Sequence, residues 1–220
     1  MDQGFFDNEE YQLFPYQVAD AKWLSTRRFA LLASEMGTGK SAVSITASDI
    51  VGAKRILIIC PAVVRINWYR EYQKFSTINR DFQIIRTKKE TISKEKSIIC
   101  SYDLSIHYNA SDFGDFDLLI LDEAHYLKSI KTKRTIGVLG KNGLIRKAKR
   151  TWALTGTPMP NNASELWPWF YTTGVIKQDY DRFVEQYCTV VDKGHGPQIT
   201  GTKFSEIPHL KKIIEPHMLR

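Results

Sequence analysis

Cysteine is scarce in this chain of 220 residues: Cys60, Cys100 and Cys188 are odd in number and far apart, and no His/Cys pair has zinc-ligand spacing. That pattern excludes a disulfide framework and a structural zinc, and leaves the three thiols as small buried hydrophobes. Long apolar runs are also missing, and none approaches the roughly 20 residues needed to cross a bilayer, so no membrane span is expected. Met1 to Glu10 is acidic and lacks the basic-then-apolar order of a secretory signal, so the expected location is intracellular. Repeats and low-complexity segments are absent. Acidic residues are missing from one long stretch, Ala124 to Ser164, which carries Lys128, Lys131, Lys133, Arg134, Lys141, Arg146, Lys147, Lys149 and Arg150. The whole chain has a net charge of +7, so the remainder is slightly acidic and the positive charge is concentrated. Such a block is either a contact surface for a phosphate backbone or a solvated basic face.

What is present points to a doubly wound α/β fold. Short, nearly continuous apolar runs lie at Phe29 to Ala33, Arg55 to Cys60, Phe82 to Arg86, Ser97 to Cys100, Asp117 to Leu121 and Thr151 to Leu154. Strands buried on both faces of a parallel sheet look like this. Helix-length segments at Gly39 to Ile50, Val64 to Phe75 and Ser129 to Leu139 separate several of them, as βαβ crossovers require. Asp192 to Gly201, with three glycines and a proline, reads as a loop, and Glu206 to Arg220 as a helix without a cap. The expected layout is one lobe over residues 1–168, followed by a small, mainly helical appendage over 169–220. Trp152, Trp167 and Trp169, with Phe170 and Tyr171, could stack bases, but their spacing favours packing of that appendage. His195 and His209 read as surface residues.

Chemistry gathers where strands end. The first strand runs into Ser34-Glu35-Met36-Gly37-Thr38-Gly39-Lys40-Ser41 and then a helix, the context of a phosphate loop. Gly37 and Gly39 let the backbone turn so that its N–H groups face phosphate, with the helix dipole behind them. Lys40 would meet the β- and γ-phosphates and the Ser41 hydroxyl a magnesium ion. Ser34 stands where the strict consensus has glycine. The second element is Leu118-Leu119-Ile120-Leu121-Asp122-Glu123-Ala124-His125, two carboxylates leaving a buried strand. They are costly there unless a cation meets them, so Asp122 is expected to hold magnesium through water and Glu123 to act as the base. An exposed acidic pair capping a helix is the plain alternative. No Asn-Lys-x-Asp guanine-reading segment is present.

Asp122-Glu123-Ala124-His125 resembles the DEAH-box motif of the superfamily-two helicase-like ATPases. The finer likeness is to Swi/Snf-type DNA translocases. It rests on Phe14-Pro15-Tyr16-Gln17, Ser34 to Ser41, Leu154-Thr155-Gly156-Thr157-Pro158 and Asn161-Asn162-Ala163-Ser164-Glu165-Leu166-Trp167, in that family's order and spacing, from Leu13 to Arg220. The family commonly carries a polar residue at the Ser34 position. The resemblance implies a RecA-like P-loop NTPase lobe using ATP and Mg2+. It makes Gln17 the adenine reader, with Met36, Gly37, Thr38, Gly39, Lys40 and Ser41 around the phosphates. Arg65, Asn67 and Ser101 become DNA contacts, with Trp68 as either a stacking platform or a packing residue. Lys147, Lys149 and Arg150 join the DNA contacts from their charge, and Thr155 and Thr157 become the coupling hydroxyls. It further implies duplex DNA as partner and a second RecA-like lobe, in trans if not in the same chain, without which turnover would be weak. A non-hydrolysing ATP sensor or docking module is the other class of function open to these residues.

Overall fold

The structure is a computed structural model and describes residues 12–158, 161–192, 194 and 196–220. Met1 to Glu10 and His195 lie outside the described residues. Nine strands are found among the described residues: β1 Phe29–Leu32, β2 Ile56–Cys60, β3 Phe82–Ile84, β4 Ser97–Ser101, β5 Phe116–Leu121, β6 Ala148–Leu154, β7 Cys188–Asp192, β8 Pro197–Thr202 and β9 Met218–Leu219. Seven form one sheet in the order β3-β4-β2-β5-β6-β1-β9. Every pairing in it is parallel. The helices are α1 Pro15–Ser25, α2 Lys40–Ile50, α3 Arg65–Phe75, α4 Tyr102–Ser105, α5 Ala110–Phe113, α6 Lys133–Leu139, α7 Trp167–Thr172, α8 Tyr180–Tyr187 and α9 Ile207–Ile214.

Period-two alternation along the central strands builds two cores, one on each face. Ile56, Ile58, Leu118, Ile120, Leu32 and Trp152 pack with Leu24, Val43, Trp68 and Tyr72 from α1, α2 and α3. Leu57, Ile59, Leu119, Leu121 and Leu31 pack on the other face with Val138, Phe170, Phe183, Leu210 and Ile214. Both faces of β2 and β4 are buried at every position. Truncating one such side chain to alanine costs about 2–5 kcal/mol, so these apolar runs hold strand positions firmly. Trp169 and Phe170 belong to the core, as their spacing suggested, and the three cysteines are buried. No described helix is long and apolar enough to cross a membrane.

Several element expectations need correction. Helix α6 starts at Lys133 because the Thr132 side chain accepts from Thr135 N–H and caps it there. β3 ends at Ile84, two residues early, because the Arg86 N–H turns to the Glu90 carboxylate. The segment read as a loop, Asp192 to Gly201, is mostly strand: β7 and β8 pair antiparallel, and Gly194 and Gly196 supply the positive φ (87° and 94°) near the turn. Glycine and proline content hid the β-formers Val190, Val191 and Ile199, and Pro197 is tolerated as a first strand residue. The final helix also stops early. After Ile214 one 3-10 turn follows over Glu215–His217, and Met218–Leu219 then adds a strand beside β1, with Ala33 N–H donating to the Leu219 carbonyl at 2.7 Å.

Candidate nucleotide site and the surfaces around it

The strand order sets the site. β1 delivers the phosphate loop, β5 delivers Asp122 and Glu123, and β6, lying between them, delivers Thr155. All three loops leave the carboxyl ends of parallel strands, where open α/β sheets bind ligands. Gly37 (φ 79°) and Gly39 (φ 80°) take the left-handed turns of the loop. A Cβ at Gly39 would also strike the Gln17 amide at 2.2 Å. Thr38 Oγ1 donates to the Glu35 carbonyl, and Lys40 Nζ donates to the carbonyls of Ser34 (3.0 Å) and Glu35 (2.8 Å). Burial lowers the Lys40 pKa, while the charges of Glu123 and Asp122 act to raise it. The loop lysine and the two carboxylates therefore share one electrostatic site. Ser41 is half-buried at the first turn of α2, and Met36 lies exposed over Gly156.

Gln17 is buried, and both polar ends of its side chain bond main chain: Oε1 accepts from Phe14 N–H at 2.9 Å and Nε2 donates to the Thr38 carbonyl at 3.0 Å. In the structure the Gln17 side chain ties the start of α1 to the phosphate loop. Tyr16 adds a hydroxyl bond to the same carbonyl and stacks on Phe14, their ring planes 6° apart.

Asp122 and Glu123 differ sharply in environment. Asp122 Oδ2 accepts the Trp68 indole N–H at 2.7 Å, Oδ1 accepts Glu123 N–H at 3.0 Å, and the Asp122 carbonyl accepts the Tyr102 hydroxyl at 2.8 Å. Burial raises the Asp122 pKa, opposed by the Trp68 bond. Glu123 is the one non-glycine at positive φ (49°) among the described residues. That conformation costs of order 1 kcal/mol and turns the side chain off the strand axis. Its Oε2 is buried and accepts no hydrogen bond, and His125 Nδ1 lies 3.1 Å from it, close enough for an ion pair when the imidazole is protonated. A buried carboxylate oxygen without a donor, beside a metal-type carboxylate, suits an attacking water. Among the described residues no three His, Cys, Asp or Glu side chains converge on one point. A magnesium ion held by Ser41 and Asp122 would draw its other ligands from phosphate and water, as that ion does.

Thr155 is buried; its Oγ1 accepts Thr157 N–H at 3.1 Å and lies 3.5 Å from His125 Nδ1, while Thr157 is exposed. The other predicted residues divide. Arg65, half-buried at the start of α3, donates to the carbonyls of Ala62 and Ile85. Asn67 is exposed on the same helix, but Ser101 is buried and caps α4 by accepting Leu104 N–H. Trp68 is buried and unable to offer a stacking face to nucleic acid. Lys147, Lys149 and Arg150 sit at the opposite end of the sheet, where β6 begins. Lys147 and Lys149 pair with Asp115 (3.5 Å) and Asp117 (2.8 Å), and Arg150 donates to the carbonyls of Ser25 and Arg27. The acid-free stretch is thus cut in two, with Lys128 and Arg134 at the other end paired to Glu165 and Asp103. Sequence reasoning missed the Trp68 and Tyr102 bonds to Asp122, for which only the i, i+4 spacing of Trp68 and Tyr72 gave an inward-facing hint.

A parallel sheet with a glycine-rich phosphate loop after one strand and an acidic pair after another defines a RecA-like P-loop NTPase lobe. Residues 16–220 match the SNF2-related domain family, and the chain belongs to it. It is 30% identical over 242 residues to Helicase SWR1 of Cryptococcus neoformans, covering 94% of this chain and 19% of that protein. Likeness to the SWI/SNF-related matrix-associated actin-dependent regulator of chromatin subfamily A-like protein 1 of Xenopus tropicalis is 27% over 214 residues, or 94% of this chain and 22% of that protein. The chain therefore spans about a fifth of these relatives. Among solved structures, the Sulfolobus solfataricus SWI2/SNF2 ATPase core in complex with dsDNA superposes with a TM-score of 0.78 at 26% identity, over 96% of this chain and 44% of that one.

Proposed function

We propose that this chain is the ATP-binding lobe of a DNA-dependent ATPase and translocase, and that it binds Mg-ATP and duplex DNA. The observation carrying this reading is the electrostatic convergence of Lys40 with Asp122 and Glu123 at the carboxyl ends of β1 and β5. Lys40 exchanges its loop carbonyls for the β- and γ-phosphates. Glu123, whose buried Oε2 accepts no hydrogen bond, orients and deprotonates the attacking water. Ser41 and Asp122 would hold the magnesium ion, which would supply neutralisation of charge developing on the phosphates. Gln17 reads adenine with the amide hydrogen and the carbonyl lone pair that its two backbone bonds leave free. Arg65 and Asn67, at the start of α3, supply DNA contacts. Thr155 and Thr157, set between phosphate loop and acidic pair, couple nucleotide state to those contacts.

Turnover by the lobe alone is weak, because an arginine contributed from a second lobe can be worth about 10³–10⁵ in rate for related phosphoryl transfers. Steady-state hydrolysis with and without duplex DNA, beside Glu123→Gln, tests the proposal. Turnover that rises when a second lobe is added and disappears in the variant supports it. Tight ATP binding with no turnover under any condition favours a sensor or docking module instead.

A further inference from the structure

The Asp122 carboxylate is held from behind by a side chain that cannot touch a metal. An indole N–H is a donor only, so Trp68 cannot ligate the ion that Asp122 would serve. At 2.7 Å from Oδ2 it fixes one oxygen, Glu123 N–H fixes the other, and each oxygen keeps a lone pair for the ion's water shell. Trp68 is itself 2% exposed and packed against Tyr72 with ring centroids 6.4 Å apart. The Tyr72 hydroxyl lies 3.3 Å from Ser48 Oγ on α2, the helix that the phosphate loop opens. The inner face of α3 therefore touches Asp122 directly and, through Tyr72, the far end of α2. Its outer face presents Ile66, Asn67, Tyr69 and Arg70 to solvent.

We propose that Trp68 is a positioning residue that orients the Asp122 carboxylate toward the cation, making α3 the rigid link between the outer surface and the metal side of the nucleotide site. This rests on the Mg-ATP reading above. Partners of this kind typically change metal affinity by about 10–100-fold when removed. A tryptophan that merely fills the core would be replaced by phenylalanine with no effect on the cation.

The test is calorimetric titration of the full chain with ATP, once with magnesium and once with EDTA, for the native protein and Trp68→Phe. The expected result is a native affinity that magnesium strengthens, a variant affinity in EDTA within twofold of native, and a magnesium enhancement reduced about tenfold or more. An enhancement equal to native in a folded variant overturns the positioning role and leaves the Mg-ATP reading standing. Absence of ATP binding in the native chain overturns both. Should the variant not fold, the Trp68 indole N–H resonance of the native chain decides, assigned by elimination with the other tryptophans replaced by phenylalanine. It moves when magnesium is added to the ATP-bound chain if the proposal holds, and an unmoved resonance overturns it.

Discussion

At the carboxyl ends of β1 and β5 the backbone turns left-handed at Gly37, Gly39 and Glu123, and one buried carboxylate oxygen has no donor. At the amino ends of β2, β5 and β6 the charged groups are met instead. Arg55 donates to the carbonyls of Ser93, Lys96, Phe113 and Asp115 and stacks 4.0 Å from the Phe116 ring. Asp117 accepts from Lys54 N–H, Arg55 N–H and Lys149 Nζ. One sheet thus keeps its left-handed turns and the donorless Glu123 oxygen at the carboxyl end and satisfied charges at the amino end, while Thr151 Oγ1, midway along β6, also lacks a partner. Sites that break local rules are where function concentrates.

The sharpest way to break this contrast is Glu123→Gln, which should lower hydrolysis by about 10²–10⁴-fold with the melting temperature unchanged, as steady-state rates beside a thermal melt would reveal. Arg55→Ala should do the reverse. Loss of four carbonyl partners destabilises the fold by roughly 3 kcal/mol, seen in urea unfolding, while ATP affinity of the folded chain stays native. A melting temperature lowered equally by both substitutions would dissolve the distinction.

A finer test uses pH. Burial works to raise the Asp117 pKa, but Lys149 and the two backbone donors outweigh it and hold the carboxyl below its ordinary value of 3.8. A carboxyl with a depressed native pKa contributes stability above its unfolded pKa and loses it as pH falls through the native one. Asp117→Asn should therefore be less stable than the native chain near neutrality, with the gap narrowing as pH drops below about 4. A gap independent of pH would mean the ionised form is not favoured. The smallest expected effect concerns the basic block. Neutralising Lys147, Lys149 and Arg150 together should change the salt slope of DNA binding by less than about one unit, since each phosphate contact contributes roughly 0.9. A loss of two to three units would return that end of the sheet to the DNA surface.

Legibility followed how local each feature is. The central strands could be read directly because both faces are buried and their positions are mostly apolar, the buried Ser97 and Ser101 falling at the ends of β4. The β7–β8 hairpin could not, since β7 is exposed beyond Cys188, β8 is largely solvated, and its turn glycines carry the stronger signal. Gln17 stood out from its motif, yet the carbonyl that its amide meets did not, because that depends on where Thr38 comes to lie.

By itself the sequence determined the phosphate loop, the acidic pair and the parallel-sheet class, because each is written in a short window: glycines that permit a left-handed turn, carboxylates ending an apolar run, runs long enough to be one strand. Only the tertiary structure decided that Thr155 falls between loop and acidic pair, that Trp68 holds Asp122, and that the basic stretch is shared between opposite ends of the sheet. These depend on strand order, which places residues tens of positions apart at neighbouring strand ends and is fixed only when both cores pack together.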